Sequence, residues 1–87
     1  MKLYVVVINA RAGVTMGDVQ ARFASTAWYR IAPSAWIIQS GADAGTWVDH
    51  LSSLVKPGGT MFVSRLNTQD HQGWMDEKFW DWFNQHS

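Results

Sequence analysis

The residues able to do chemistry are few, and their spacing is uninformative. The chain has no cysteine. That excludes a thiol nucleophile, a Cys-ligated zinc site and a disulfide scaffold. Its histidines are His50, His71 and His86. None stands three or four residues from another His, Asp or Glu on an expected helix, so no metal pair or base–carboxylate pair can be read. Asp76, Glu77 and Asp81 cluster near the C-terminal end. A helix cap plus a solvated face explains them, since carboxylates favour a helix N-terminus. Gly13 and Gly17, and Gly41 and Gly45, are spaced four apart. Turns and caps account for such glycines, and no phosphate loop, dinucleotide fingerprint, zincin motif or nucleophile elbow is present. The sequence leads us to expect no metal and no cofactor.

The aromatic residues are the anomaly. Six of 87 residues are tryptophan. Trp and Arg dominate binding hot spots, and aromatic rings can stack nucleic-acid bases. Core packing accounts for Trp47 and for part of the C-terminal group. Trp28, Trp36, Trp74, Trp80 and Trp82 form the candidate interface set. Arg11, Arg22, Arg30 and Arg65 form a candidate basic ridge for nucleic acid. Trp28-Tyr29-Arg30 is one interleaving of aromatic and cation, which does not make a stacking platform. Overall neutrality also weakens a phosphate-driven affinity. The net charge is zero, but unevenly placed. Residues 1–67 carry six Lys and Arg against three Asp, giving +3; residues 68–87 carry one Lys against four acids, giving −3.

The elements that must position these residues follow from periodicity. Residues 2–9 read as a strand, apolar almost throughout and therefore central, covered on both faces. Thr15 to about Thr26 reads as a helix. Thr15-Met16-Gly17-Asp18 resembles a capping box, and Met16, Val19, Phe23 and Ala27 share one arc. Asp18 and Arg22 stand at i,i+4 and are expected to pair. Trp28 to Ser40 reads as extended with a break at Pro33, either a tight hairpin or one bent strand. Asp43 to Val55 is the clearest helix, with Trp47, Val48, Leu51, Leu54 and Val55 on one side. Lys56-Pro57-Gly58-Gly59 ends it. Residues 60–66 read as a strand and 67–73 as loop. Asp76 caps a last helix, 77–85, whose Phe79, Trp80, Trp82 and Phe83 spread over an arc of roughly 160°. That width predicts a helix wedged between two surfaces.

The order is β-α-β(β)-α-β-α over one domain, residues 1–87. It predicts an α+β fold, a ferredoxin-like βαββαβ sandwich with an additional C-terminal helix. The segments Pro-Ser-Ala-Trp-Ile-Ile (33–38) and Thr-Met-Phe-Val-Ser-Arg-Leu (60–66) resemble those of the CRISPR-associated adaptation scaffold family and its SinR-like relatives. Ser34-Ala35-Trp36 resembles that family's Ser-aliphatic-aromatic second strand. Gly73-Trp74-Met75 leading into Phe79-Trp80-Asp81-Trp82 looks like the SinR-like C-terminus. The resemblance implies a ferredoxin-like homodimer with a scaffolding role on DNA. In some members it implies a metal-dependent nuclease relying on an Asp at the end of the first strand. Asn9 stands at that position here, and a neutral amide anchors Mg²⁺ poorly.

Three function classes follow. The first is a non-catalytic homodimeric binding or scaffold protein. The second is a metal-dependent nuclease or toxin-like relative, with Asn9 and Asp70 as its weak catalytic candidates. The third is a partner-binding inhibitor module acting through the acidic aromatic helix. A homodimer suits a small chain, which buries only about 60–65% of its unfolded surface. Nucleic acid or a second protein is the other open partner class. No apolar run reaches the ~18 residues of a membrane span, so no membrane partner is expected. The lack of cysteine suggests a cytoplasmic setting.

Overall fold

The computed structural model describes all 87 residues. β1 (Lys2–Asn9) is followed by α1 (Met16–Ala21), β2 (Ala27–Ala32), β3 (Ala35–Ser40), α2 (Ala44–Leu51), β4 (Thr60–Arg65) and α3 (Glu77–His86). The fold is α+β, with four strands in one antiparallel sheet of order β2-β3-β1-β4. β1 pairs with both β3 and β4, and β2 pairs with β3. That order and connectivity are compatible with a ferredoxin-like arrangement.

β1 and β3 take the two inner places because both are apolar enough to be buried on both sides. Tyr4, Val6 and Ile8 face one way and are buried. Leu3 and Val5 face the other way and join a second cluster. The alternation is the period-2 rule of a pleated strand, with apolar residues at both parities. The question of a hairpin or a bent strand resolves as a hairpin. Pro33 and Ser34 form the turn between β2 and β3, and the register slips between Arg30 and Ala32.

α1 and α2 cover the first face. Val19 and Phe23, then Trp47, Leu51, Leu54 and Val55, pack with Tyr4, Val6, Ile8, Trp36 and Ile38 in one cluster of 11 buried residues. Phe23 is its hub. Its ring centroid lies 6.3 Å from Trp28, 5.8 Å from Trp36 and 5.9 Å from Trp47. The indole N–H groups are satisfied in place: Trp47 Nε1 donates to Ser40 Oγ at 2.9 Å and Trp36 Nε1 to Gln20 Oε1 at 3.3 Å. A buried indole without such a partner would lose its hydration uncompensated.

α1 is shorter than the periodicity predicts. It stops at Ala21, and the chain tightens into turns that carry Phe23 into the core. There Arg22, Phe23 and Ala24 donate to the carbonyls three residues back. Thr26 adds a stop signal, its amide and hydroxyl both donating to the Phe23 carbonyl; such local bonds compete with helix continuation. The expected Asp18–Arg22 pair does not form. Asp18 turns back to complete the capping box with Thr15, and Arg22 reaches α2 instead.

α3 covers the second face. Phe79 and Phe83 are buried against Leu3 and Ile37, with Val5, Tyr29, Ile31 and Leu66 around them. The wide aromatic arc has a physical reason. The helix lies on one sheet face, and both flanks are dressed. Trp82 meets Tyr29 of β2 at 5.7 Å, while Trp80 meets His71 of the preceding loop at 6.1 Å.

Candidate binding surface

The strand register separates the two weak catalytic candidates. Asn9 ends β1 opposite Thr60, and its Nδ2 donates to Thr60 Oγ1 at 3.4 Å. β4 then runs away from Asn9 to Arg65, which pairs with Tyr4. Asp70 follows from that far end. Its neighbour His71 packs 4.7 Å from Phe83, in the Leu3 cluster. No group of three or more His, Asp or Glu gathers in a way that could hold a metal ion.

The arginines divide among three places. Arg11 and Arg22 converge on the C-terminal end of α2 and the 3₁₀ turn that extends it over Ser52–Leu54. Arg22 Nη1 donates to the His50 carbonyl at 2.7 Å and Nη2 to Ser53 Oγ at 3.2 Å; Arg11 Nε donates to the Ser53 carbonyl at 3.0 Å. A helix end leaves carbonyls without partners and carries partial negative charge, so these guanidiniums act as a cap. Arg30 bonds the carbonyls of Ala32 and Pro33 at its own hairpin turn. Arg65 is exposed on β4. Since β2 and β4 are opposite sheet edges, Arg30 and Arg65 do not extend a common ridge.

The capping carboxylates are held ionised. Hydrogen bonds from the Thr15 amide and hydroxyl push Asp18 below its usual value, with Arg11 and Arg22 adding attraction. The amide and hydroxyl of Thr46 do the same for Asp43. Partial burial raises Tyr29, and the nearby charge of Asp76 raises it further. These shifts belong to helix caps and a packing contact, so they point to no acid–base centre.

Each histidine packs on an aromatic ring: His50 on Trp47 at 5.4 Å, His71 on Phe83, and His86 on Trp82 at 4.4 Å. His86 Nδ1 also lies 2.7 Å from the Trp82 carbonyl.

The tryptophans are distributed unequally. Trp36 is 2% exposed inside the chain's own core and has no surface to offer. Its place on β3 turns it toward Phe23, which is why a strand tryptophan of open orientation became a core residue. Trp28, Trp80 and Trp82 are half-buried. Trp74 is fully exposed, at 101%. Phe62 is also exposed, at 67%, and sequence reasoning did not single it out. Its register partner is Val7, two residues from Val5, so Phe62 lies on the sheet face that α3 only partly covers. Between α3, the sheet and the loop before α3 is an apolar hollow of about 180 Å³. Val5, Ile31, Ile37, Leu66, Met75 and Phe79 line it, with Gly73 and His71 at the loop side. This hollow and the exposed Phe62, on the same sheet face, are the surfaces best suited to binding.

Comparison of the chain with protein-family models, curated proteins and solved structures finds no match.

Proposed function

We propose that the chain is a ferredoxin-like βαββαβ sandwich with an added C-terminal helix. On this reading it acts as a non-catalytic homodimeric binding or scaffold protein, of the CRISPR-adaptation and SinR-like type. Nucleic acid or another protein is its further partner. The observation that carries the proposal is the exposed apolar surface. A chain of this size leaves Trp74, Phe62 and Met75 exposed beside or on the face of an apolar hollow that Met75 lines, and exposed apolar surface of this kind marks interaction sites. Three further observations favour binding over catalysis. Asn9 is a neutral amide engaged with Thr60. Arg11 and Arg22 already serve a helix end. Asp70 follows from the sheet end opposite Asn9.

Light scattering on the eluting protein tests the dimer. At micromolar concentration the mass should be twice the 9.8 kDa of one chain; a stable monomer sinks the reading. Incubation with RNA and DNA in Mg²⁺ or Mn²⁺ tests the absence of catalysis. Cleavage that disappears in Asn9→Ala would favour the nuclease instead.

A further inference from the structure

We propose that the end of the sheet where β1 begins and β4 finishes binds a phosphomonoester, held by Arg65, Lys2 and the amides of the loop that follows β4. The site lies within one copy of the chain, so it stands apart from the dimer reading.

The largest hollow of the molecule, about 490 Å³, is found here. Arg65, Leu66, Asn67, Thr68 and Gln69 line it, and Leu66 is the one apolar residue among them. A smaller cleft of about 90 Å³ borders it, sharing Arg65, Leu66 and Thr68 and adding Lys2 and His86. The strand register explains the meeting. Tyr4 pairs with Arg65, and the Leu66 amide donates to the Leu3 carbonyl at 2.9 Å. The ladder thus sets Lys2, at the start of β1, beside the loop that leaves β4.

The donors at this end are free. Arg11, Arg22 and Arg30 all donate to carbonyls of their own chain. The Arg65 guanidinium and the Lys2 ammonium are exposed and have no hydrogen-bond or ion-pair partner in the fold. Asn67 Oδ1 accepts the Gln69 amide at 2.8 Å, while the amides of Asn67 and Thr68 find no acceptor in the chain. Successive unpaired amides and a guanidinium fork are the groups that bind phosphate oxygens.

Charge selects the ligand and its place. No Asp or Glu lines either hollow. Asp70 is the nearest acid along the loop. The terminal groups of Met1 and Ser87 border the smaller cleft and are opposite in sign. α3 also ends there, and a helix C-terminus disfavours anions. The phosphate is therefore placed on the loop side, against Arg65, Asn67 and Thr68. A monoester carries nearly two negative charges and three acceptor oxygens, which two cations and two amides match better than they match a singly charged diester. The hollow falls within the roughly 300–1,000 Å³ of small-ligand sites, so an organic group beyond the phosphate has room.

NMR of the nitrogen-15-labelled full chain at low salt reads the site, with glycerol 3-phosphate as the monoester and dimethyl phosphate as the diester. Glycerol 3-phosphate should shift the Asn67 and Thr68 amides and the Arg65 Nε–H along a saturable curve. Dimethyl phosphate should bind at least about tenfold more weakly, having lost one charge and one acceptor oxygen. Arg65 is exposed and unpartnered, so Arg65→Gln folds. That variant should weaken monoester binding by about tenfold, since hydrogen bonds to charged groups are the strong ones. Lys56→Gln removes an exposed cation from the turn before β4 and should leave the curve unchanged. Shifts that never saturate, or a curve that Arg65→Gln leaves in place, overturn the site. A diester bound as tightly overturns the assignment to a monoester. Light scattering reads the dimer separately, so either proposal can fail while the other stands.

Discussion

Single residues hold this fold at a few points of contact between elements. Phe23 is 0% exposed and touches three indoles. Phe23→Ala leaves a cavity that those rigid rings cannot close, and it should cost about 3–5 kcal/mol, readable as a fall in the urea midpoint. The whole domain holds about 4–13 kcal/mol by the usual per-residue stability, so the loss is a large share of the total. Gly59 is restricted by space alone. A Cβ there would press on the Asn9 carbonyl oxygen and come within 2.8 Å of the Val55 carbonyl oxygen and 3.0 Å of the Arg11 amide. All three are backbone atoms and cannot rotate away. Gly59→Ala should therefore part the Asn9–Thr60 end of the sheet. Faster amide exchange at Asn9 and Met61 is the measurement, and unchanged rates would oppose it.

Charge acts at the same scale through the caps. Asp43 accepts from the Thr46 amide, and its folded pKa lies below the ordinary 3.8. A lowered carboxylate pKa adds stability that is complete above the unfolded value and is lost as pH falls through the folded one. The loss thus begins below about pH 4–5 and deepens beneath 3.8. Urea midpoints of the wild type and Asp43→Asn should converge in that window. A gap that stays constant to low pH would show that the ionised cap contributes nothing.

Among the elements, α3 contributes most to the second face. Its Phe79 and Phe83 complete a cluster that otherwise holds only Leu3 and Ile37 as buried residues. Ending the chain after Asp76 uncovers both. The truncated protein should lose cooperative unfolding and bind a hydrophobic dye. A truncated chain that stays folded and dye-free would show α3 to be a detachable arm, as an inhibitor helix requires. Tyr29 packs the same helix against the β2 edge through Phe79 and Trp82. Its phenol pKa is raised above 10.0. The stability tied to the protonated phenol is present below pH 10.0 and lost as pH rises through the raised value. Tyr29→Phe should remove that alkaline loss from the urea midpoint, and a variant that declines as steeply as the wild type would argue against the link.

For the whole molecule, the consequence is asymmetry between the two sheet faces. One carries two crossover helices and a closed core of 11 buried residues. The other carries one helix and leaves the hollow and Phe62 open. On the dimer reading proposed above, association would fall on that second face. In a two-fold dimer through that face, the acidic loop and α3 of both copies would add like charge. Salt screens exposed charges beyond about 10 Å at 0.1 M, so the dimer should hold or tighten as salt rises. A dimer that dissociates with added salt would indicate oppositely charged surfaces meeting instead. No helix of the chain is long and apolar enough to cross a membrane.

The sequence by itself determined the element order apart from the split of residues 28–40 into two strands, the central place of residues 2–9 and the caps at Thr15, Asp43 and Asp76. These depend on neighbours within a few positions, where periodicity and capping chemistry act. Partners distant in the chain were decided only by tertiary structure. Arg22 is four residues from Asp18, yet it bonds His50, because the carbonyls of a helix end accept from it while Asp18 closes its own capping box. Trp36 and Trp74 look alike in sequence, but one fills the core and the other stands clear of it. Phe62 is exposed because α3 settles over β2, β3 and part of β1, leaving β4 bare. Residue type sets what a side chain can do; which surface remains for it to do so depends on which faces the helices cover.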